Sequence, residues 1–284
     1  MEDKPGNSED FASQGAEHFT AVSAFYDSIV SYEWSRLDRY VLEYAAARHY
    51  LQRFLPPPPA RILDIGGGPG RYAFLLAQQG YNVTMIDLSQ VNIDWARNQF
   101  AQASLNIDAR LGNALDLEQF ADASFDAALL MGPLYHLPDL EDRSKAVAEM
   151  RRILKPGGKA FSMMLTQAAT IYEGFNRWPE GILDVDGVQR LMKTGRDFNF
   201  EKNPDDFVGI YSAHVNEVLP LHEGQGFSTL ALAGCEGLLG GRRDQIAALA
   251  PELQNAWVKL ILQICEDPSI LGAAERLLYV GEAV

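Results

Sequence analysis

Apolar positions change their period along the chain, and the change divides it. From residue 19 to 55 apolar and aromatic side chains return at helical spacing, Phe25, Ile29 and Tyr32 in one set and Leu37, Tyr40, Val41 and Tyr44 in another, which predicts two helices. Prolines at 56–59 end that region, because proline lacks the amide hydrogen a helix needs. Beyond them, short apolar runs at 61–65, 82–86, 105–111, 125–131 and 159–165 predict buried strands, with helical patterns between most of them, as at 91–101 and 140–154. The tail adds a helix at 212–222, a strand at 228–233, a helix at 244–265 and a strand at 276–280. Strand and helix in alternation predict an α/β fold, a Rossmann-like, doubly wound, seven-stranded and mostly parallel sheet with helices on both faces.

Three segments stand outside that rhythm. Residues 1–16 are acidic and polar and read as a disordered leader. Residues 17–59 read as an N-terminal helical segment, and 60–284 as the main domain. Within it, residues 166–212 carry Trp178-Pro179, Gly181, Gly187, Gly195 and Asn203-Pro204 and read as an irregular cap insertion after the fifth strand.

Composition then narrows the partners. The 284 residues carry 24 Lys+Arg against 38 Asp+Glu, a formal net charge of −14. Nucleic-acid affinity is built from lysine and arginine contacts to phosphate, so a small-molecule partner is the better expectation. Two cysteines, Cys235 and Cys265, supply neither a disulfide framework nor a cysteine-rich zinc site, and no metal centre is expected. His214 and His222 read as residues of a surface helix. With no apolar stretch of membrane-spanning length and no signal-peptide pattern, a cytoplasmic protein is expected.

The first strand runs into Asp64-Ile65-Gly66-Gly67-Gly68-Pro69-Gly70, at the turn where doubly wound sheets bind ligands. A dinucleotide fingerprint needs glycine at 71, where Arg71 stands, and a phosphate-cradling P-loop needs a terminal Gly-Lys-Ser/Thr that is missing. The spacing is Gly-x-Gly-x-Gly with an acidic residue two before the first glycine.

On four segments the chain resembles the class I S-adenosylmethionine-dependent methyltransferases. ILDIGGGPGRYAFLLA matches the first motif, VTMIDLS the second, and LGNALDL the third, with asparagine in place of the usual aspartate. SFDAALLMGPLYHL with RRILKPGGKAFSMML matches the motifs of strands four and five. The Gly-Pro-Leu-Tyr-His-Leu run further resembles a bacterial group of small methyltransferases. The resemblance covers most of residues 60–165 and implies S-adenosylmethionine as cofactor.

It also implies a site. Gly66, Gly68 and Gly70 would let the methionyl group lie against backbone. Asp64 would face its ammonium, and Asp87 the ribose hydroxyls. Asn113 and Ala114 would meet the adenine, Leu88 would give it an apolar face, and Met131 would stand beside the cofactor after the fourth strand. His136 is the expected general base, with Tyr135 orienting the acceptor. The resemblance further implies that residues 17–59 fold across the cofactor mouth as an N-terminal helical lid, whose Tyr26, Tyr32 and Arg36, with Arg71 after the glycine loop, are expected to bind the acceptor, Arg71 as the cation for a carboxylate.

The expected activity is methyl transfer to O, N or S of a small molecule. Two alternatives stand beside it: an RNA or protein methyltransferase, for which Arg151, Arg152, Lys155 and Lys159 form a local basic run, and a catalytically silent cofactor-binding partner subunit. The oligomeric state stays open, with a homodimer compatible.

Overall fold

The computed structural model describes residues 8–196 and 210–284, with side chains from residue 18 onward. Helices α1 (Ser8–Arg39) and α2 (Val41–Phe54) precede the sheet. α1 therefore starts inside the segment expected to be a leader, while residues 1–7 lie outside the described residues.

The core alternates β1 (Arg61–Ile65), α3 (Arg71–Gln78), β2 (Asn82–Asp87), α4 (Gln90–Gln102), β3 (Asp108–Leu111), β4 (Phe125–Leu130), α5 (Leu140–Ile153) and β5 (Leu154–Leu165). Two further strands, β6 (Phe227–Gly234) and β7 (Arg276–Ala283), complete a seven-stranded sheet of order β3-β2-β1-β4-β5-β7-β6. Only β7 runs antiparallel to its neighbours. Strand order reverses between β1 and β4, which opens a crevice beyond their carboxyl ends. One apolar cluster fills each face: Ile62, Met85 and Phe161 lie on the side of α2 and α3, and Leu63, Ile86 and Ala160 on the side of α5. The alternation of neighbouring residues between clusters follows the period of two along each strand.

Three sequence expectations need correction. The segment 166–212 is not irregular where it is described: Thr166 caps α6 (Gln167–Arg177), a short 3-10 helix follows at Pro179–Leu183, and α7 (Val185–Thr194) stops at left-handed Gly195. Pro179 opens the 3-10 helix and Gly195 ends α7; residues 197–209, with Asn203-Pro204, lie outside the described residues. The helix expected at 244–265 is two, α9 (Arg243–Ala247) and α10 (Pro251–Ile264), because Pro251 fits the first turn of a helix and not its interior. His222, in α8 (Val215–Glu223), is fully buried, with Nε2 2.6 Å from Ser162 Oγ and Nδ1 2.7 Å from the Val218 carbonyl. Burial pushes its pKa down to about 4.

A charged cluster joins the helical cap to the sheet. Arg36 of α1 donates to both oxygens of Glu43, at 2.8 and 3.0 Å, and Arg276 of β7 reaches Glu43 at 3.2 Å. Arg276 also pairs with Glu236 and Glu275. The guanidiniums of Arg36, Arg243 and Arg276 stand 4.8, 5.1 and 4.7 Å from the ring centre of Tyr40. Glu43 is 1% exposed; burial alone would push its carboxyl up, and the Arg276 and Arg36 charges outweigh that and hold it below the usual range.

Candidate active site

The crevice at the switch point is a cleft of about 1060 Å³, its open mouth included. Its floor is the turn after β1. Gly66 and Gly67 donate to the Ile86 carbonyl at 2.8 and 3.1 Å, which folds the loop back onto β2. Gly68 sits at φ +57 with no atom within 4 Å of where a Cβ would be, so its bare face opens on the cleft. Its N–H donates to Asp87 Oδ2 at 2.8 Å.

Two carboxylates stand under this loop. Asp64 lies one residue before the end of β1 at 1% exposure, and among the described residues its Oδ2 has no hydrogen-bond partner. Burial, and then the charge of Asp87, push its pKa up to about 7. Asp87 closes β2; Oδ1 accepts from the Ser89 N–H at 2.9 Å and from the Asn92 side-chain amide at 3.1 Å. Burial raises its pKa, and the bonds from Ser89, Asn92 and Gly68 partly offset the shift. Ser89 also caps α4, accepting the Asn92 N–H at 2.9 Å. A carboxylate offers about four lone-pair sites, so Asp87 with three donors keeps capacity for a ligand hydroxyl.

The far wall comes from the loop after β4 and from α1. Met131, Gly132 and Pro133 lead into the short 3-10 helix Pro133–His136, which brings Tyr135 and His136 to the cleft. His136 is 8% exposed, with Nε2 2.8 Å from the Tyr26 hydroxyl and the two rings edge-on at 5.4 Å. Burial raises the Tyr26 phenol well above its ordinary value and also raises that of Tyr135. Both phenols stay protonated at neutral pH.

The expected residues that line the cleft are Asp64, Gly66, Gly68, Asp87, Leu88, Asn113, Ala114, Met131, Tyr135, His136, Tyr26, Arg36 and Arg71. Two do not. A Cβ on Gly70 would lie 2.6 Å from the Phe100 ring, so this glycine serves the packing of α3 on α4. Tyr32 is 39% exposed and bonds to Arg39. Glu33, one position on, lines the cleft with Tyr26, Arg36 and Leu37, and a helical step of about 100° turns Tyr32 away from them.

Three lining residues have partners that were not foreseen. Arg36 is bound by Glu33 and Glu43 and is not a free anion receptor. Arg71 donates to Asp38 at 2.8 Å and lies over Trp34 and Tyr44 at 5.3 and 5.7 Å. Asn113 Oδ1 accepts the Leu115 N–H at 2.9 Å, the backbone turn typical of asparagine, and its second lone pair stays available to an amino group.

The sequence reading missed Glu33, Asn92 and Tyr72 as lining residues. Tyr72 is 8% exposed and its hydroxyl has no partner among the described residues. Glu33 falls seven residues, two helical turns, after Tyr26 on the same face of α1, which was the available signal; Tyr72 followed the core period and gave none.

The basic run is spent within the chain. Arg151 donates to the Gly226 and Val284 carbonyls, Arg152 pairs with Glu149 and Asp122, Lys155 with Asp126, and Lys159 with Glu282.

Comparison with known proteins agrees with this geometry. Residues 63–162 match the family described as methyltransferase domain. The ubiquinone biosynthesis O-methyltransferase of Xanthomonas axonopodis pv. citri is 35% identical over 154 residues, 54% of this chain and 58% of the relative. The chain thus spans a little over half the length of the curated relatives it matches. Among solved structures, an S-adenosylmethionine-dependent methyltransferase from Methanosarcina mazei superposes with a TM-score of 0.58 at 20% identity, over 83% of this chain and 97% of that one. Geranyl diphosphate C-methyltransferase of Streptomyces coelicolor A3(2) gives 0.54 at 14% identity, over 84% and 79%. The chain shares the fold of these solved methyltransferases, and its residues 63–162 are similar to a methyltransferase domain.

Proposed function

We propose that this chain is an S-adenosylmethionine-dependent methyltransferase that methylates a hydroxyl group of a small molecule in the cytoplasm. The observation that carries the reading is Asp64: a carboxylate oxygen buried without a partner at the floor of a glycine loop. A buried charge without a partner is costly, and an ammonium group seated on the loop satisfies it. The open face of Gly68 leaves room for the methionyl chain. Asp87 accepts from a ribose hydroxyl, Asn113 and Ala114 meet the adenine edge, and Leu88 covers its face.

When bound, the cofactor supplies an electrophilic methyl group on its sulfonium. The chain supplies position and a proton acceptor. Tyr135 and Met131 bound the space beside Gly132 and Pro133, and the acceptor's hydroxyl proton passes to the Tyr26 hydroxyl as that hydroxyl gives its own proton to His136 Nε2. Oxygen as the attacked atom rests on the relative's name together with a histidine at this wall. The small acceptor rests on the lining: Phe19, Val22 and Leu37 with aromatic rings, and arginines already paired with carboxylates. Such a wall suits a neutral acceptor better than a phosphate chain.

Calorimetric titration with S-adenosylhomocysteine tests the cofactor site, and its release in a screen of phenolic and alcoholic acceptors tests the activity. Absence of binding to the folded protein overturns the proposal.

A further inference from the structure

α1 leaves helical geometry at one residue, Ile29, with φ −124 and ψ 16. The polar contacts of the helix divide there. Before Ile29, His18 Nε2 lies 2.7 Å from the His136 carbonyl, Ser23 Oγ donates to the Leu88 carbonyl at 3.3 Å, and Tyr26 meets His136. Asp27 accepts from Ser89 Oγ at 2.5 Å. Every one of these partners belongs to the loops that wall the cleft after β2 and β4. After Ile29 the contacts are ion pairs to the body: Arg36 with Glu43 of α2, Asp38 with Arg71 of α3, and Arg39 with Asp244 of α9.

We propose that residues 18–28 are a lid turning about Ile29, and that Asp27 latches it by bonding to the serine that also holds the ribose carboxylate. The inference rests on the cofactor reading above. Ser89 joins the two acids: its hydroxyl donates to Asp27, and its N–H donates to Asp87. Closure over an empty cleft therefore brings two like charges to one residue. A ribose hydroxyl donating to Asp87 offsets that repulsion, so the cofactor favours the closed lid through a difference in its interactions with the two states. Asp27 acts through Ser89 and is a positioning residue. Opening breaks hydrogen bonds to the two loops, whereas residues 30–39 stay anchored by the buried Arg36–Glu43 pair.

Amide hydrogen exchange on the whole chain, free and saturated with S-adenosylhomocysteine, reads the hinge. Residues 18–28 are expected to exchange roughly tenfold faster than 30–39 in the free protein and to slow on binding, with 30–39 unchanged. Equal protection on both sides of Ile29 in both states overturns the lid. Asp27→Ala reads the latch; Asp27 is exposed, so the fold survives its loss. Dissociation of S-adenosylhomocysteine should quicken about tenfold, and an unchanged rate overturns the latch. If calorimetry shows no binding, the cofactor reading and the latch fail together, and the exchange boundary in the free protein still decides the hinge.

Discussion

Ligand binding should release the proton on Asp64. In the free protein, burial and the Asp87 charge bring this carboxyl to about 7, from an ordinary 3.8. A shift of that size corresponds to about 4 kcal/mol against the ionised form at 1.36 kcal/mol per unit. An ammonium seated on Oδ2 needs the ionised form, so affinity should rise with pH and level off above 7. Below that value each pH unit should cost roughly tenfold, giving about a hundredfold weaker binding at pH 5 than at pH 8. Calorimetry in buffers of different ionisation enthalpy at pH 6 should show close to one proton released per S-adenosylhomocysteine bound. Methylthioadenosine, which lacks the amino-acid part, should release none. Asp64→Asn should bind weakly with no such pH dependence, yet be the more stable free protein above pH 7. The sign follows from the raised pKa: the native state holds more protons than the unfolded one between about 4 and 7, so stability is lost as pH rises through that window. Proton release that is absent, or equal for both ligands, would refute the assignment of Asp64.

His222 acts in the opposite sense in nearly the same window. Its pKa is depressed to about 4, so its contribution to stability is lost as pH falls from 6.5 toward 4; His222→Phe should flatten that limb in urea titrations, and an unchanged limb counts against it. Gly68→Ala should cost about 1 kcal/mol of stability for its left-handed φ and abolish cofactor binding, whereas Gly70→Ala should destabilise by about 1–3 kcal/mol through the Phe100 clash. Equal effects on binding at both positions would contradict the placement of Gly70 outside the cleft. His136→Asn should lower turnover about 10²–10⁴-fold while calorimetric affinity for S-adenosylhomocysteine holds, the split expected of a proton acceptor. Glu43→Gln should cost about 3 kcal/mol in denaturant midpoint, since it strips Arg36 and Arg276 of a shared buried counter-charge.

What the chain spells out locally was readable before its shape was known. Asp64, the glycine turn and Asp87 lie within 24 residues on consecutive elements, so spacing alone places them at the ends of β1 and β2. His136 follows β4 just as closely. Long-range geometry was not readable. No periodicity says that Arg36 faces Glu43 instead of a substrate, or that Arg276 from the last strand reaches the same carboxylate. The roles of Tyr32 and Glu33 are separated by one helical step, and only the docking of α1 decides which of them meets the cleft. Gly70 shows the same limit: a motif glycine can serve packing as well as a ligand, and only its neighbour Phe100 tells which.

The guanidinium cluster around Tyr40 also has a bearing on the order in which a nascent chain matures. Its three arginines come from α1, α9 and β7. On the ribosome, the glycine turn and both helices of the cap emerge well before Arg276 does. Until then Glu43 holds Arg36 alone, and Glu236 has no cation to face. The charged cluster is therefore complete only after synthesis has delivered β7, although the lining of the cleft is encoded in the first half of the chain. A fragment stopped before β7 should keep the motif and lack the affinity.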